Sequence, residues 1–431
     1  MSNPKNLPLL PPEILLCIFN ILKSSSEPYL VTFLAVSLVC RAWQFVALPL
    51  IHRELANLQL RHYSALHLRR LANSLNETRT TGAFDLAGYL QSVTIALNDF
   101  YVRRRTYHDS AEYGFNYTYS SSASAVIQKL PNFPSLSLHF PNITTDRQFR
   151  DTSTFLTHLA FAHGTAITSL HLDGFHNPVP RHSANPLADL LRSLSNLTDI
   201  RFWSVHVDDR LATALSNLQY IHTAQFLRTT HSYSSDPFSC WLNLHSFDLS
   251  TSLQFPCLLL TLRGLASSCP RLTSLRLHTP YPPYHSTDLV AAIASLLASQ
   301  ATTLVHFALP DLPARLNIMP LLKIPLPQLE SLEISGVVTA NEFPAGEMWP
   351  KLCKIDVTQL KPIKLQFVEE VVRACPRVSE IRVWADTDAG LVKGGNYEQE
   401  WKSMVEEGFN RCGGIGSGLW LRKEMEVDRN A

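Results

Sequence analysis

The sequence has 431 residues, of which 45% are hydrophobic and 17% charged, and its 37 Lys and Arg residues balance 36 Asp and Glu residues. This composition excludes a chain that is disordered throughout, and the length allows either roughly two to three domains or one long repeat array. The formal charge of +1 argues against a nucleic-acid binder, because such proteins neutralise phosphates with a clustered basic excess.

Membrane insertion and secretion are not expected either. No apolar run approaches the roughly 18 residues that a membrane span needs. Pro8, Pro11 and Glu13 interrupt the stretch where a secretory signal would have its apolar core. The eight cysteines include no C-x-x-C pair and no dense disulfide framework. We therefore expect a soluble protein with reduced thiols, located in the cytoplasm, the nucleus or both.

Residues 7–55 are predicted to form a small helical module. A proline-punctuated start precedes an apolar helical stretch from Glu13 to Leu22, and a second stretch is predicted from Leu30 to Leu55. Ile14 and Ile18 lie four residues apart, and the apolar surface of this helix is too broad for a small bundle to bury. That excess marks a partner site, or else the same residues pack against the segment that follows.

Residues 56–88 are predicted to be a helical linker or N-terminal cap, and a repeated pattern fills residues 89–386. Eleven segments fit the frame L-x-x-L-x-L, with starts at Leu90, Phe133, Ile167, Leu197, Leu218, Leu244, Leu272, Leu304, Leu329, Leu352 and Val378. Most intervals between starts fall in or near the 20 to 29 residues that are typical of leucine-rich repeats. The last two apolar positions of the frame are two residues apart, so on a strand both point into the core.

Helical patterns alternate with these strands. They cover Pro186 to Leu194, Asp208 to Leu215, Leu258 to Ser267, Thr287 to Ala298 and Leu365 to Ala374. A repeat of this size cannot bury its own apolar face, so neighbouring repeats must stack on it. The predicted fold is a small all-α module followed by an α/β leucine-rich-repeat solenoid with irregular repeats.

Two segments depart from the repeat. The stretch of about 98–125, with three consecutive arginines and several tyrosines, is interpreted as an exposed insertion loop. Its arginines could engage an acidic partner or simply form a solvated charge run. Residues 387–431 are predicted to be a C-terminal capping tail that includes a polar helix from Asn396 to Phe409.

The N-terminal module resembles the F-box family. The first half of the motif reads Leu10-Pro11-Pro12-Glu13-Ile14-Leu15 followed by Ile18-Phe19, and the second half reads Val39-Cys40-Arg41-Ala42-Trp43. The continuation from Ala47 to Leu55 is similar to the version found in fungal F-box proteins. The repeats are also similar to the cysteine-containing subtype found in F-box proteins, through Cys269-Pro270-Arg271-Leu272 and Cys375-Pro376-Arg377-Val378.

This resemblance implies a three-helix module that docks on a Skp-type adaptor of a cullin-RING ubiquitin ligase. The expected F-box core and adaptor-binding face together comprise Leu10, Pro11, Ile14, Leu15, Ile18, Val39, Cys40 and Trp43. Spacing alone does not separate the core residues from the interface residues.

The outward strand positions are candidates for binding a protein substrate, because solenoids use this concave surface for recognition. The middle position of the frame carries His171, Arg201, His222, Arg276, Glu333, Asp356 and Arg382. Flanking outward candidates are Trp203, Tyr220, His278, His306 and Trp384. Trp, Tyr and Arg are enriched in binding hot spots, although a solvated strand face without a specific partner would carry similar residues.

No catalytic motif is present. The sequence contains no H-E-x-x-H, G-x-S-x-G or P-loop pattern and no Cys or His pair with metal-ligand spacing, so no catalytic residue, metal or cofactor is assigned. The leading hypothesis is a substrate-recognition subunit of a Skp-cullin-F-box ubiquitin ligase that brings an unknown protein to the ligase core. The alternative is a non-enzymatic leucine-rich-repeat scaffold that binds a partner independently of ubiquitination.

Overall fold

The computed structural model describes residues 10–24, 29–37, 41–81, 89–105, 111–140, 146–174, 186–251, 255–278, 286–310, 317–336, 348–360, 374–375, 377–382, 409–412 and 419–422. The chain divides into two compact units, residues 1–205 and residues 206–431. Among the described helices, none is both long and apolar enough to cross a membrane.

The first unit begins with three helices, namely α1 (Pro12–Ser24), α2 (Tyr29–Ser37) and α3 (Arg41–Ala56). The helical stretch predicted from Leu30 to Leu55 is therefore two helices, α2 and α3. Helix α1 starts at a proline pair, and proline suits the first helical position because it lacks an N–H that would have no partner there. The carbonyl of Pro11 accepts hydrogen bonds from the N–H groups of Ile14 (3.0 Å) and Leu15 (3.1 Å).

A parallel sheet with alternating helices follows in the same unit. Its strands are β1 (Asn57–Gln59), β2 (Ser92–Ala96), β5 (Ser135–His139), β6 (Ser169–Asp173) and β7 (Asp199–Trp203). Its helices are α4 (Ala65–Thr81), α5 (Tyr117–Lys129), α6 (Asp146–His163) and α7 (Pro186–Ser193). The predicted linker 56–88 thus contributes β1 to the sheet as well as α4, and β1 pairs in parallel with β2.

The structure corrects the interpretation of residues 98–125 as an exposed loop. Strands β3 (Tyr101–Arg105) and β4 (Ala111–Phe115) form an antiparallel pair, and α5 begins at Tyr117. The Asn116 side chain caps α5 by accepting a hydrogen bond from the N–H of Tyr119 (3.1 Å). The buried residues of α5 recur at helical spacing, namely Tyr119, Ser122, Ala123, Val126 and Ile127. This segment is the helix of a repeat, with a hairpin before it.

The second unit continues the same architecture. Its strands are β8 (His206–Val207), β9 (Thr223–His231), β10 (Ser246–Thr251), β11 (Ser274–His278), β12 (His306–Leu309), β13 (Ser331–Gly336), β14 (Lys354–Leu360), β15 (Glu380–Arg382), β16 (Phe409–Cys412) and β17 (Leu419–Arg422). Its helices are α8 (Asp209–Ser216), α9 (Phe255–Ser268), α10 (Ser286–Ser299) and α11 (Met319–Leu322).

Strands β9 to β15 pair in parallel in sequence order, and β8 pairs with β9. At the last repeat, β17 pairs antiparallel with β15, and β16 pairs antiparallel with β17. Phe409 therefore lies in a strand and not in the predicted helix, while residues 396–408 lie outside the described part of the chain. The predicted helix from Leu365 to Ala374 also lies outside it, apart from Ala374.

The repeat frame determines the core. Val93, Leu136, Leu170 and Ile200 align on neighbouring strands of the first unit, and all four are buried. In the second unit the same column comprises Ala224, Phe247, Leu275, Phe307, Leu332, Ile355 and Ile381. The architecture is a helical region followed by parallel strands with alternating helices, a solenoid-like arrangement, as predicted.

One predicted repeat frame is wrong by three residues. Phe247 pairs with Ala224, so the frame of this repeat is Ile221-Ala224-Phe226 and not the predicted one that starts at Leu218. All three residues of the corrected frame are fully buried. The frame was missed because the small residue Ala224 occupies a position that a large apolar residue fills in the other repeats.

Candidate binding surfaces

The helical region separates into core and surface residues. Leu15 and Phe19 of α1, Phe33 and Leu34 of α2, and Ile51 of α3 are fully buried. The Phe19 ring lies 5.6 Å from the Phe33 ring and 6.0 Å from the Trp43 indole, measured between centroids. Aromatic contacts at these distances stabilise the bundle beyond the burial of apolar area.

Large apolar side chains remain on the surface of α1 and α3. The exposed fraction is 47% for Ile14, 71% for Ile21 and 76% for Phe45. Leu10, Ile14 and Ile21 are spaced by four and seven residues, which places them on one face of α1 and its N-terminal extension. A small module that leaves apolar groups of this size in water offers a surface for a partner.

The predicted adaptor-site residues divide between these two groups. Leu10, Pro11 and Ile14 are exposed, Ile18 and Trp43 are half-buried, and Leu15 belongs to the core. Val39 and Cys40 lie outside the described residues. Sequence reasoning missed Ile21 and Phe45, although Ile21 lies seven residues after Ile14 and could have been found by helical periodicity. Phe45 could have been found because it is a large apolar residue off the stripe of Ala47, Ile51 and Leu55.

Outward residues of neighbouring strands in the first unit make two side-chain contacts, the first of which joins Ser137 Oγ to His171 Nδ1 at 3.4 Å. Thr94, Ser137, His171 and Arg201 occupy the middle position of β2, β5, β6 and β7. Two residues later on β5 and β6, at the next outward position, His139 Nδ1 lies 2.9 Å from Asp173 Oδ2. Burial lowers the pKa of His171, and the charge of Arg201 on the next strand acts in the same direction. Trp203, half-buried at the end of β7, aligns with Asp173.

The corresponding face of the second unit is held together by ion pairs. Arg276 on β11 reaches across β12 to Glu333 on β13, with 3.1 Å between Nη2 and Oε1. The two side chains can meet across β12 because the residue between Arg276 and Glu333 is Ala308, whose side chain is small. At the last repeats, Glu380 accepts from Lys354 (3.0 Å) and Arg382 (2.8 Å). Burial raises the pKa of Glu380, but the two cations outweigh burial and lower it overall.

Some of the residues predicted to lie on the outward strand face do lie there in the structure, and others do not. Asp356 and Arg382 align with Glu333 in the middle position, His306 begins β12, and half-buried His278 ends β11. His222 and Tyr220 were assigned to the strand face through the wrong frame. Gln225 occupies the middle position of β9, while His222 and Tyr220 precede the strand. Trp384 lies outside the described residues.

The cysteines of the cysteine-proline motifs are buried. Cys269 follows α9 and is fully buried, as is Cys375. Burial raises the pKa of the Cys269 thiol to about 12 and that of Cys375 to about 11. Within the described residues no group of three or more His, Cys, Asp or Glu side chains could hold a metal ion.

One protein-family model matches the helical region of this chain. Residues 7–57 match the family model described as F-box-like. The match ends at the first residue of β1, so it covers the three-helix region and leaves the repeats outside. A search of the curated proteins returned no match.

A search of the solved structures found matches at low identity. An internalin from Listeria monocytogenes is 15% identical with a TM-score of 0.35, over 58% of this chain and 67% of that chain. The Rad7 and Elc1 complex of yeast gives 14% identity and a TM-score of 0.31, over 77% of this chain and 87% of the other. The Toll–Spatzle complex of Drosophila gives 14% identity and a TM-score of 0.32, and this chain covers 40% of its length.

Proposed function

We propose that this protein is the substrate-recognition subunit of a Skp-cullin-F-box type ubiquitin ligase. The observation that carries the proposal is the F-box-like match over residues 7–57, on the same helices that expose Ile14, Ile21 and Phe45. These apolar groups would dock on a Skp-type adaptor, and the adaptor would link the chain to a cullin-RING core. The proposal places the protein in the cytoplasm, the nucleus or both.

The repeats would hold the protein to be ubiquitinated. Their outward strand residues include exposed Arg201, Arg276 and Arg382 and half-buried Trp203, side-chain types that are frequent in binding hot spots. Holding a substrate beside the ligase core raises the effective concentration of its lysines, so this chain needs no catalytic residue of its own.

Adaptor binding is tested with Ile14→Asp in the full-length chain. A carboxylate at a position that becomes buried in the complex loses apolar burial and gains a desolvation cost, so the affinity for a purified Skp-type adaptor should fall about ten- to a hundredfold. The thermal midpoint should stay close to that of the wild type, because Ile14 is already exposed. Isothermal calorimetry measures the affinity, and circular dichroism measures the fold.

Leu66→Asp is the matched control. Leu66 is 56% exposed on α4, outside residues 7–57, and its replacement should leave adaptor affinity unchanged. Leu15 is unsuitable as a probe because it is fully buried, so its replacement would disrupt the bundle itself. A wild-type chain that folds but binds no adaptor, or an Ile14→Asp variant with undiminished affinity, would favour the scaffold function instead.

A further inference from the structure

A row of side chains lies at the N-terminal ends of the strands in the second unit. Each repeat contributes to this row the residue directly before the first apolar residue of its L-x-x-L-x-L frame. We call the row the N-terminal rim. Tyr220, Asn243 and Arg271 lie at its start, Thr303 lies in its middle, and Gln328, Lys351 and Arg377 follow towards its end. Neighbouring members touch, since Arg271 Nη1 donates to Asn243 Oδ1 (3.2 Å) and Lys351 Nζ donates to Gln328 Oε1 (2.6 Å).

The rim carries positive charge and no acidic residue. Arg271, Lys351 and Arg377 are exposed, and within the described part of the chain none of them forms an ion pair. The adjoining row, two residues later in each repeat, contributes a single carboxylate, Glu330, and two exposed histidines, His222 and His245. The histidine rings contact each other edge to face at 5.5 Å.

The strand face of the same unit behaves differently. There, Arg276 is paired with Glu333, and both Lys354 and Arg382 are paired with Glu380. Cations that already have a carboxylate partner gain little from a second anion, since the first pair must be given up. The rim cations hold no such partner among the described residues, so an incoming carboxylate would add to their interactions without breaking an ion pair.

Apolar and aromatic groups adjoin one end of the rim. Tyr220 is 52% exposed and Leu242, which precedes Asn243, is 58% exposed. Exposed tyrosine and arginine on one row match the composition of protein-binding hot spots. The two residues that the sequence pattern had assigned to the strand face, Tyr220 and His222, thus belong to this second surface.

We infer that the N-terminal rim binds an extended acidic segment of a partner protein, with glutamate or aspartate side chains on the cations and an apolar side chain against Tyr220 and Leu242. Neighbouring strands are about 4.8 Å apart, so three strand spacings separate Arg271 from Lys351 by roughly 14 Å. An extended chain that crosses the strands covers this distance in about four residues. This surface is separate from the helical face and does not depend on adaptor docking.

The test uses the full-length protein and a fluorescent glutamate-rich peptide of roughly 12 residues with one tyrosine, long enough to span the rim. Fluorescence anisotropy at low salt, about 0.05 M, gives the affinity. The variant Arg271→Glu with Lys351→Glu removes two attractions and adds two repulsions, so the affinity should fall about tenfold or more. The double variant Arg69→Glu with Arg70→Glu changes the net charge equally at two exposed sites on α4, in the first unit and outside the rim.

The control double variant should bind the peptide within about twofold of the wild type. A peptide with glutamine in place of glutamate should not bind. Equal losses in both double variants would overturn the inference, because they would show attraction to net charge alone. The same holds for a wild-type chain that fails to bind the glutamate peptide, or one whose rim-dependent affinity is higher for a single-stranded oligonucleotide or for anionic vesicles.

Discussion

A buried polar cluster surrounds His231 at the end of β9. His231 is fully enclosed, and its Nε2 lies 2.7 Å from Thr229 Oγ1, while Nδ1 has no hydrogen-bond partner in the described part of the chain. The neighbouring Tyr233 and Thr261 hydroxyls form a hydrogen bond with each other. The Cys257 thiol donates a hydrogen bond to the Tyr233 carbonyl. Burial, with a smaller contribution from His206, lowers the pKa of His231 to about 3.

This depressed pKa predicts that acid destabilises the protein. The unfolded chain titrates at the ordinary value of 6.5 and binds a proton that the folded chain excludes, so the stabilisation is complete above pH 6.5 and is lost as the pH falls towards 3. Between pH 6.5 and pH 5 the free energy of unfolding should fall by about 2 kcal/mol from this residue alone. Urea unfolding at several pH values measures the slope, and His231→Gln should flatten it. A variant that keeps the wild-type slope would contradict the assignment.

The sequence pattern predicted the strand alignment correctly in every repeat but one. In ten of the eleven frames a large apolar residue fills the second position of the frame, and strand pairing confirms that alignment among β2, β5, β6 and β7 and among β10 to β15. The exception is the repeat of β9, where buried Ala224 fills this position. Its small side chain gave no clear apolar signal in the sequence. A three-residue error there moved His222 onto the strand face and hid Gln225.

Helix α5 was missed for a different reason. Serine and tyrosine dominate its sequence, and both are common in loops, so composition favoured a loop. The spacing of Tyr119, Ser122, Ala123, Val126 and Ile127 carried the helical signal, because buried positions of a packed helix recur at three and four residues whatever their polarity. The exposed apolar face of the helical region could be predicted in part, because family motifs identify the helices, but only packing separates buried Leu15 from exposed Ile14.

Helix α9 contains a glycine that close packing requires. A side-chain carbon on Gly264 would overlap the Asp236 carboxyl, which caps the following turn by accepting a hydrogen bond from the N–H of Phe238 (2.8 Å). Gly264→Ala gains about 1 kcal/mol of helix propensity but forces Asp236 to move, at a cost of about 1–3 kcal/mol. We expect a net loss of about 1 kcal/mol in the free energy of unfolding, measured by urea denaturation.

The sign of this effect should depend on Asp236. In an Asp236→Ala background the overlap is removed, so Gly264→Ala should stabilise by about 0.5–1 kcal/mol. If Gly264→Ala stabilised the wild-type chain as well, close contact with Asp236 would not be the reason for glycine at this position.

The helical region and the first repeats belong to one unit, with shared packing. Helix α4 packs against both α2 and α5, and β1 follows α3 directly and pairs with β2. The buried Tyr119 hydroxyl donates to the carbonyl of Leu60 (2.9 Å), and the Ser92 hydroxyl donates to the Asn57 side chain (2.6 Å). The F-box-like helices are therefore part of the structure that stabilises the start of the sheet.

Deleting residues 1–56 should loosen this start. Removal of α2 exposes part of the apolar surface around Leu68, Leu71 and Leu75, which are buried in the full chain. Exposing the equivalent of one leucine side chain costs about 1.5–3 kcal/mol, so amide exchange in α4 should become about ten- to a hundredfold faster. Hydrogen-exchange mass spectrometry of peptides from residues 57–81 measures this change, and full-length Ile14→Asp should retain the wild-type protection.

Unchanged protection in the fragment would show that α4 is stable without the helices before it. If protection is lost, the fragment has lost packing together with the exposed apolar face of the helices, so a surface substitution such as Ile14→Asp is needed to test the proposed adaptor binding by itself.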